Sequence, residues 1–353
     1  MDPAIPDILA ENGVLPPQAQ GRPSLGVHRY RYVLHAFYNQ PWAITPEKLE
    51  ELDAVVRRRV LAGQRYGEQE LESMFHGLER RPDIEASSAR ELQGVKMVGA
   101  VALLPLFGVI AQRMNMFLWT SGGTSTEIFG KALDSLVADR GVRAIVIVAD
   151  SPGGSVFGVP ELAAKVRAAR HEKKLVAVAD SIAASAAYWI AAQASELLVT
   201  PGGQVGSVGV IAAHRDVSKQ EEMEGVKTTL ITAGEYKAEG APELPLSAEG
   251  HQYLQKMVND YFDMFVAGLA KGRGVSETRV RSGFGEGRML MAKDAVAAGM
   301  ADKVATLEQV VMRLGAKDQE SGVRSQESRP LAAVLAAVRA RAHQTSHQEI
   351  PSE

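Results

Sequence analysis

The chain has no cysteine. Disulfides, thiolate zinc sites and a cysteine nucleophile are therefore excluded, and the absence fits a reducing compartment. An excess of charge of either sign is also missing: 39 Lys and Arg face 42 Asp and Glu, a formal net charge of −3 over 353 residues. Nothing in that balance favours a nucleic-acid partner. Long hydrophobic runs are absent too. The most apolar stretch, about residues 98–111, is too short to span a bilayer and is interrupted by Pro105 and Gly108. Residues 1–20 hold acidic residues and prolines rather than an apolar core, so no signal peptide is expected. These readings predict a protein without a membrane anchor, placed in the cytoplasm.

What is present divides the chain into four stretches. Residues 1–25 are rich in Pro and Gly and are expected to be poorly ordered. Residues 26–94 read as a helical extension and a polar linker. Thr45 caps a helix with Pro46 at its first position, and Leu49, Leu52, Val55, Val56 and Val60 follow at helical spacing. From 95 to 315 apolar, β-branched runs alternate with helical patterns. The expected strands are 101–110, 144–149, 175–179, 197–200, 208–212 and 228–232. The expected helices are 125–139, with Thr124 and Glu127 as a capping box, then 159–171, 184–194 and 248–271. This alternation predicts an α/β fold of βαβ units, and the unbroken apolar strands predict a sheet covered on both faces. Residues 316–353 read as a polar tail interrupted by one apolar helix at about 330–342.

Two residues carry the chemical content. Ser185 stands in Ala183-Ala184-Ser185-Ala186-Ala187, where an apolar strand turns into a helix. Its small neighbours let the backbone turn sharply and a substrate carbonyl approach. Taken alone, the same pattern also fits a small-residue helix start packed in a core. Lys237 stands in Ala233-Gly234-Glu235-Tyr236-Lys237 after a further apolar run. A lysine with the ordinary pKa of ~10.4 is almost wholly protonated at neutral pH, so a base role requires burial. Leu230, Ile231, Thr232, Ala233 and Tyr236 are the apolar neighbours expected to supply it.

Serine acyl transfer also needs donors for the oxyanion. Asp150-Ser151-Pro152-Gly153-Gly154 follows a strand directly, and the N–H groups of Gly154 and Ala186 are the candidate donors, with Gly153 beside the cleft. A second glycine turn, with Gly206 and Ser207, either lines the cleft or simply turns the chain. Of the eight histidines only His214 lies in a strand-like stretch. A triad of Ser185, His214 and Asp216 is conceivable, but residues two apart on a strand point the same way, a poor arrangement for an aspartate gripping an imidazole from behind. Phe129-Gly130-Lys131-Ala132 lacks the first glycine and final hydroxyl of a phosphate loop. No cofactor or metal is expected.

These motifs, with Leu104–Ile110, Gly206–Val210 and the later run Gly287–Asp302, resemble the signal peptide peptidase A (protease IV) family across about residues 95–312. The resemblance implies a ClpP/crotonase-like fold, a Ser-Lys dyad of Ser185 and Lys237, and a homo-oligomeric enzyme acting on protein or peptide substrates. It departs from the family at Ala186 and Ala187, where glycines are usual. Tyr38–Ile44 and Ser121–Ser125 look like the phage and prophage branch, whose members process capsid or scaffold proteins in the host cytoplasm or the prohead. A cytosolic enzyme degrading peptides and a catalytically silent scaffold module are the alternatives. Met114–Trp119, a run of large apolar residues between a strand and a helix, reads as an assembly or substrate surface.

Overall fold

A computed structural model describes residues 37–38, 40–56, 86–113, 123–319 and 331–346. The expectations for residues 1–36 and 57–85, and for Met114–Trp119, fall outside that set. The chain opens with β1 (Trp42–Ile44), α1 (Pro46–Val56), α2 (Ala86–Gln93), β2 (Lys96–Val98) and β3 (Val101–Ala111). Next come β4 (Gly123–Ser125), α3 (Thr126–Ala138), β5 (Ala144–Ser155), α4 (Val159–Glu172), β6 (Lys174–Ala184) and α5 (Ala186–Ala191). They are followed by β7 (Glu196–Val199), β8 (Gln204–Gly206), α6 (Ser218–Met223), α7 (Ala248–Arg273) and α8 (Glu277–Gly283). The last elements are β9 (Met289–Met291), α9 (Ala292–Ala297), β10 (Lys303–Val304), α10 (Leu307–Gln319) and α11 (Leu331–Ser346). Among the described residues no helix is long and apolar enough to cross a membrane.

The strands form one mostly parallel sheet in the order β10-β7-β6-β5-β3-β2. Alternate residues serve two cores, because successive side chains on a strand point to opposite faces. On β5, Ile145, Ile147 and Ala149 join one core while Ala144, Val146 and Val148 join the other; β6 splits Leu175, Ala177 and Ala179 from Val176 and Val178 in the same way. The first face is covered by α3, α4, α5 and the C-terminal half of α7, the second by α10 and α11. The mixed α/β architecture with a doubly covered parallel sheet follows the expectation. On the first face Trp189 of α5 stacks on Phe265 of α7, with ring centroids 4.6 Å apart and planes within 9°.

Four details differ from the sequence reading. Thr124 does not cap α3. Its hydroxyl is held by β3, accepting the Phe107 N–H at 3.1 Å and donating to the Phe107 carbonyl at 2.9 Å, and Ser125 caps the helix instead. Residues 208–212 form no strand; their pairing is a single bridge between Ile211 and Trp42. Residues 228–232 are irregular chain, with Ile231 95% exposed, because β-branched residues with no partner edge have nothing to pair with. Finally, the helix inside the expected polar tail is docked. Val334, Leu335 and Val338 of α11 are buried in the second core. Arg339 grips Asp180 of β6 at 2.8 and 3.0 Å and Glu308 of α10 at 2.9 Å. Replacing Leu335, which is 1% exposed, by alanine is expected to lower the unfolding free energy by about 2–4 kcal/mol. Denaturant titration checks this, and an unchanged midpoint is the outcome a free tail would give.

Candidate active site

Strand β5 outruns the strand beside it. It pairs with β6 from Ala144↔Lys174 to Ser151↔Ala183. Beyond that point its edge is taken over by β1, antiparallel, with Ile44↔Gly153, Ala43↔Gly154 and Trp42↔Ser155. Ser185 follows the last residue of β6 at φ 52° and ψ −116°, a left-handed conformation rare outside glycine. Such an outlier costs on the order of 1–3 kcal/mol and persists only where the surroundings enforce it. Here the enforcement is packing: Ala183, Ala184, Ala186 and Ala187 are all 0% exposed. The Ser185 N–H donates to the Gly206 carbonyl at 2.8 Å. Its hydroxyl is buried and donates to the Gly209 carbonyl over a long 3.4 Å, a weak bond that leaves the oxygen available.

The glycine run expected as a turn after the strand is instead the far end of β5, and it abuts this serine. Ser151 Oγ donates to the Gly108 carbonyl at 2.6 Å and accepts the Gly153 N–H at 3.2 Å, which fixes this irregular end of the strand. Gly153 sits at φ 99°, and a Cβ there would lie 2.2 Å from the Ala43 carbonyl oxygen and 3.0 Å from Ser185 Cβ. Gly153 is thus a contact surface between the serine and β1, and the next N–H, that of Gly154, belongs to the edge that β1 covers. Ala186 is the first residue of α5, in the turn whose N–H groups have no intrahelical acceptor. Gly206 at φ 137° and Ser207 at φ 52° wrap around the β9 end, where the Ser207 N–H donates to the Arg288 carbonyl at 2.9 Å. The stretch after them, Val208 to Val210, walls a cavity of about 350 Å³ together with Val258, Phe262 and Arg281. Sequence reasoning missed Ser151 and Gly209. A serine two residues before a glycine is a signal for the first, since its hydroxyl can organise the turn; an acceptor that works through its carbonyl leaves no signal.

Lys237 lies in a turn, its N–H donating to the Gly234 carbonyl at 3.2 Å, and its side chain is exposed. The neighbours expected to bury it do not: Ile231 is 95% and Tyr236 62% exposed. Asp216 is exposed as well. Its carboxylate accepts the Ser218 N–H at 2.9 Å, and its bonds to Ser218 hold it below the usual carboxylate range. It is engaged at the start of α6, and nearby His214 also favours its charged form. Tyr188 of α5 donates to the Met300 carbonyl at 2.9 Å, and burial pushes its phenol far up, so it stays protonated.

The model of Peptidase family S49 matches residues 167–321, which contain both Ser185 and Lys237. A provisionally named protease of Synechocystis sp. is 30% identical over 188 residues, 53% of this chain and 67% of the relative. The chain belongs to peptidase family S49. Two phage proteins are similar to this S49 chain as well. Capsid assembly protease C of Escherichia phage lambda is 29% identical over 215 residues, 61% of this chain and 48% of the relative. Head-tail preconnector protein GP5 of Enterobacteria phage P21 is 26% identical over 275 residues, 77% of this chain and 54% of the relative. The chain spans about half the length of these two phage relatives. At the candidate site a side chain at Gly153 has no room. Gly153→Ala is expected to cost roughly 1–3 kcal/mol, from left-handed backbone and overlap with Ala43 together. Chemical unfolding of the variant measures it, and parental stability would show that the turn gives way.

Proposed function

We propose that the protein is a serine endopeptidase in which Ser185 is the nucleophile and Lys237 the general base. The observation that carries this reading is the left-handed Ser185 at a strand-to-helix junction, pressed against the glycine end of β5. A nucleophile on a sharp, strained turn presents its oxygen above the sheet, the logic of nucleophile elbows in other hydrolases. In the reaction the Ser185 Oγ–H proton passes to neutral Lys237 Nζ as Oγ bonds to the peptide carbonyl carbon. The carbonyl oxygen takes the negative charge and is met by the N–H groups of Gly154 and Ala186. Collapse breaks the C–N bond, and the lysine returns the proton to the leaving amine. Water then hydrolyses the ester with the same base. Gly153, Gly206 and Ser207 shape the cleft, and the cavity beside Val208–Val210 takes a substrate side chain. The doubly covered sheet with this site at the carboxyl end of its strands supports a ClpP/crotonase-like fold.

The exposed lysine sets the next requirement. A base that must lose its proton near neutral pH needs desolvation, and among the described residues of one chain nothing covers Lys237 to provide it. Around Lys237 the apolar residues Ile231, Tyr236, Leu244 and Tyr253 are exposed. A cavity of about 390 Å³ lies between the turn and α7, lined by Tyr236, Glu239, Tyr253 and Met257. A second copy covering this face would dry the lysine, so the enzyme works as a homo-oligomer. The likeness to a capsid assembly protease and a head-tail preconnector protein favours capsid or scaffold proteins as substrates.

Ser185→Ala is expected to abolish peptide hydrolysis with the fold retained, and Lys237→Arg to reduce it nearly as far, since a guanidinium does not serve as a base. Hydrolysis of a casein-type substrate by the purified variants decides this; retained activity in either refutes the dyad. The kcat/KM of the parent should climb toward alkaline pH as the base loses its proton. A bell centred near pH 6, abolished in His214→Ala, would transfer the role to histidine. Light scattering at micromolar concentration is expected to show several subunits, and a fully active monomer rejects the shielding role.

A further inference from the structure

The sheet position at the end of β6, beside Ser185, is occupied by the chain itself. β5 has β3 on one edge from Ala144 to Gly154, with one irregularity, and on the other edge β6 as far as Ser151 and β1 from Gly153 onward. β1 is bonded on both of its own edges. On one, the Trp42 N–H donates to the Ile211 carbonyl at 2.7 Å and the Ile211 N–H returns a bond to Trp42 at 2.8 Å. On the other, the Thr45 N–H donates to the Pro152 carbonyl at 2.9 Å. Hydrogen-bonded pairs alternate along an antiparallel ladder, so the next such pair is Ala43 and Gly154, with the Gly154 N–H turned to the Ala43 carbonyl. That N–H is the donor assigned above to the oxyanion. The Ala43 oxygen and Ser185 Cβ converge on one point, the place a Gly153 Cβ would fill, at 2.2 and 3.0 Å.

We propose that Trp42–Ile44 lies in the track a substrate strand takes, with Ala43 in the place of the residue whose carbonyl is attacked. The inference rests on the peptidase reading of Ser185. An extended peptide gains main-chain bonds from two open edges and reads its specificity through alternate side chains; the edges here are Gly153–Ser155 and Ile211, and β1 already satisfies both. Ser185 is 0% exposed, so a peptide reaches it only when something leaves. Among its neighbours β5, β6 and α5 carry the main core. Ala43 of β1 also touches that core, but Trp42 and Ile44 on either side of it belong to a small separate cluster with Phe37, Tyr38, Leu52 and Val109. That cluster is clasped by Asp53, which accepts the Tyr38 hydroxyl and pairs with Arg215 at 2.8 Å. The guanidinium also lies over the Tyr38 ring, 5.5 Å from its centroid. The clasp is the fastening of a competing strand, and opening it exposes the site.

The test uses the full chain with Ser185→Ala, so that no turnover enters, and a fluorescent peptide with the sequence of residues 38–47. Adding Asp53→Ala, which releases both Tyr38 and Arg215, is expected to tighten peptide binding about tenfold by anisotropy. The same peptide with proline at the Ala43 position, lacking the N–H that faces Gly154, should not compete. Equal affinity with and without Asp53→Ala, or no binding to either, overturns the proposal, as does competition by the proline peptide. If Asp53→Ala fails to fold by circular dichroism, Tyr38→Phe, which removes the hydroxyl bonded to Asp53, must move affinity in the same direction, and no movement overturns it. In chains that keep Ser185, labelling by a fluorophosphonate should accelerate with the same substitutions. Peptide binding as expected without any labelling upholds the strand site and sinks the Ser-Lys chemistry instead.

Discussion

Neighbouring parallel strands that end at different heights leave the longer one with an open edge, and whatever follows the shorter one is set against that edge. Here the longer strand is β5 and the shorter is β6. The residue after β6 must turn at once into α5, which puts Ser185 in a left-handed conformation. The overhang of β5 must pass close to it, which requires glycine at position 153. The open edge must find hydrogen-bond partners, and β1 supplies them. A strained serine, a glycine-bearing strand end and a peptide-like strand meet at one place because one strand is longer than its neighbour. Ligand sites of open α/β sheets gather outside the carboxyl ends of the strands for the same reason.

Much of this arrangement was legible in the sequence. The inner strands β3, β5 and β6 stood out because a strand buried on both faces has no polar alternation to blur it. Ser185 was legible through its alanines, since only small residues permit that turn inside a core. What escaped had physical causes. β1 is three residues long, too short for any periodicity, and its pairing depends on an edge created by distant elements. Residues 208–212 look like a strand because they are β-branched, yet propensity does not create a partner, and one bridge to Trp42 is all that forms. The expected burial of Lys237 failed for a similar reason: apolar neighbours in sequence dry a side chain only if the chain folds them over it. Helix α11 was legible as a helix, but its docking rests on Arg339 meeting Asp180, far away in the chain.

Ionic contacts around the sheet have a common pattern. They fasten late elements to early ones. Arg273 at the end of α7 holds Asp302 through bonds of 2.9 and 2.8 Å, and the same carboxylate accepts the Leu197 N–H of β7 at 2.7 Å. Arg313 of α10 holds Glu196 of β7 through two bonds of 2.9 and 2.8 Å. Paired guanidinium–carboxylate geometry is directional as well as attractive, so these contacts set the register of the outer helices more than they add stability.

The second core has a timetable. Its sheet side, including Val101, Leu103, Val146, Val178 and Leu198, is complete once β7 has been made, but its cover comes from α10 and α11. A ribosome therefore delivers the half of the sheet that holds Ser185 first and leaves the opposite face bare until Val338 has emerged. During that interval a broad apolar surface is open to other chains, the state in which nascent proteins aggregate or recruit chaperones. The helix that looks like an appendage at the far end of the sequence is the piece that ends this exposure.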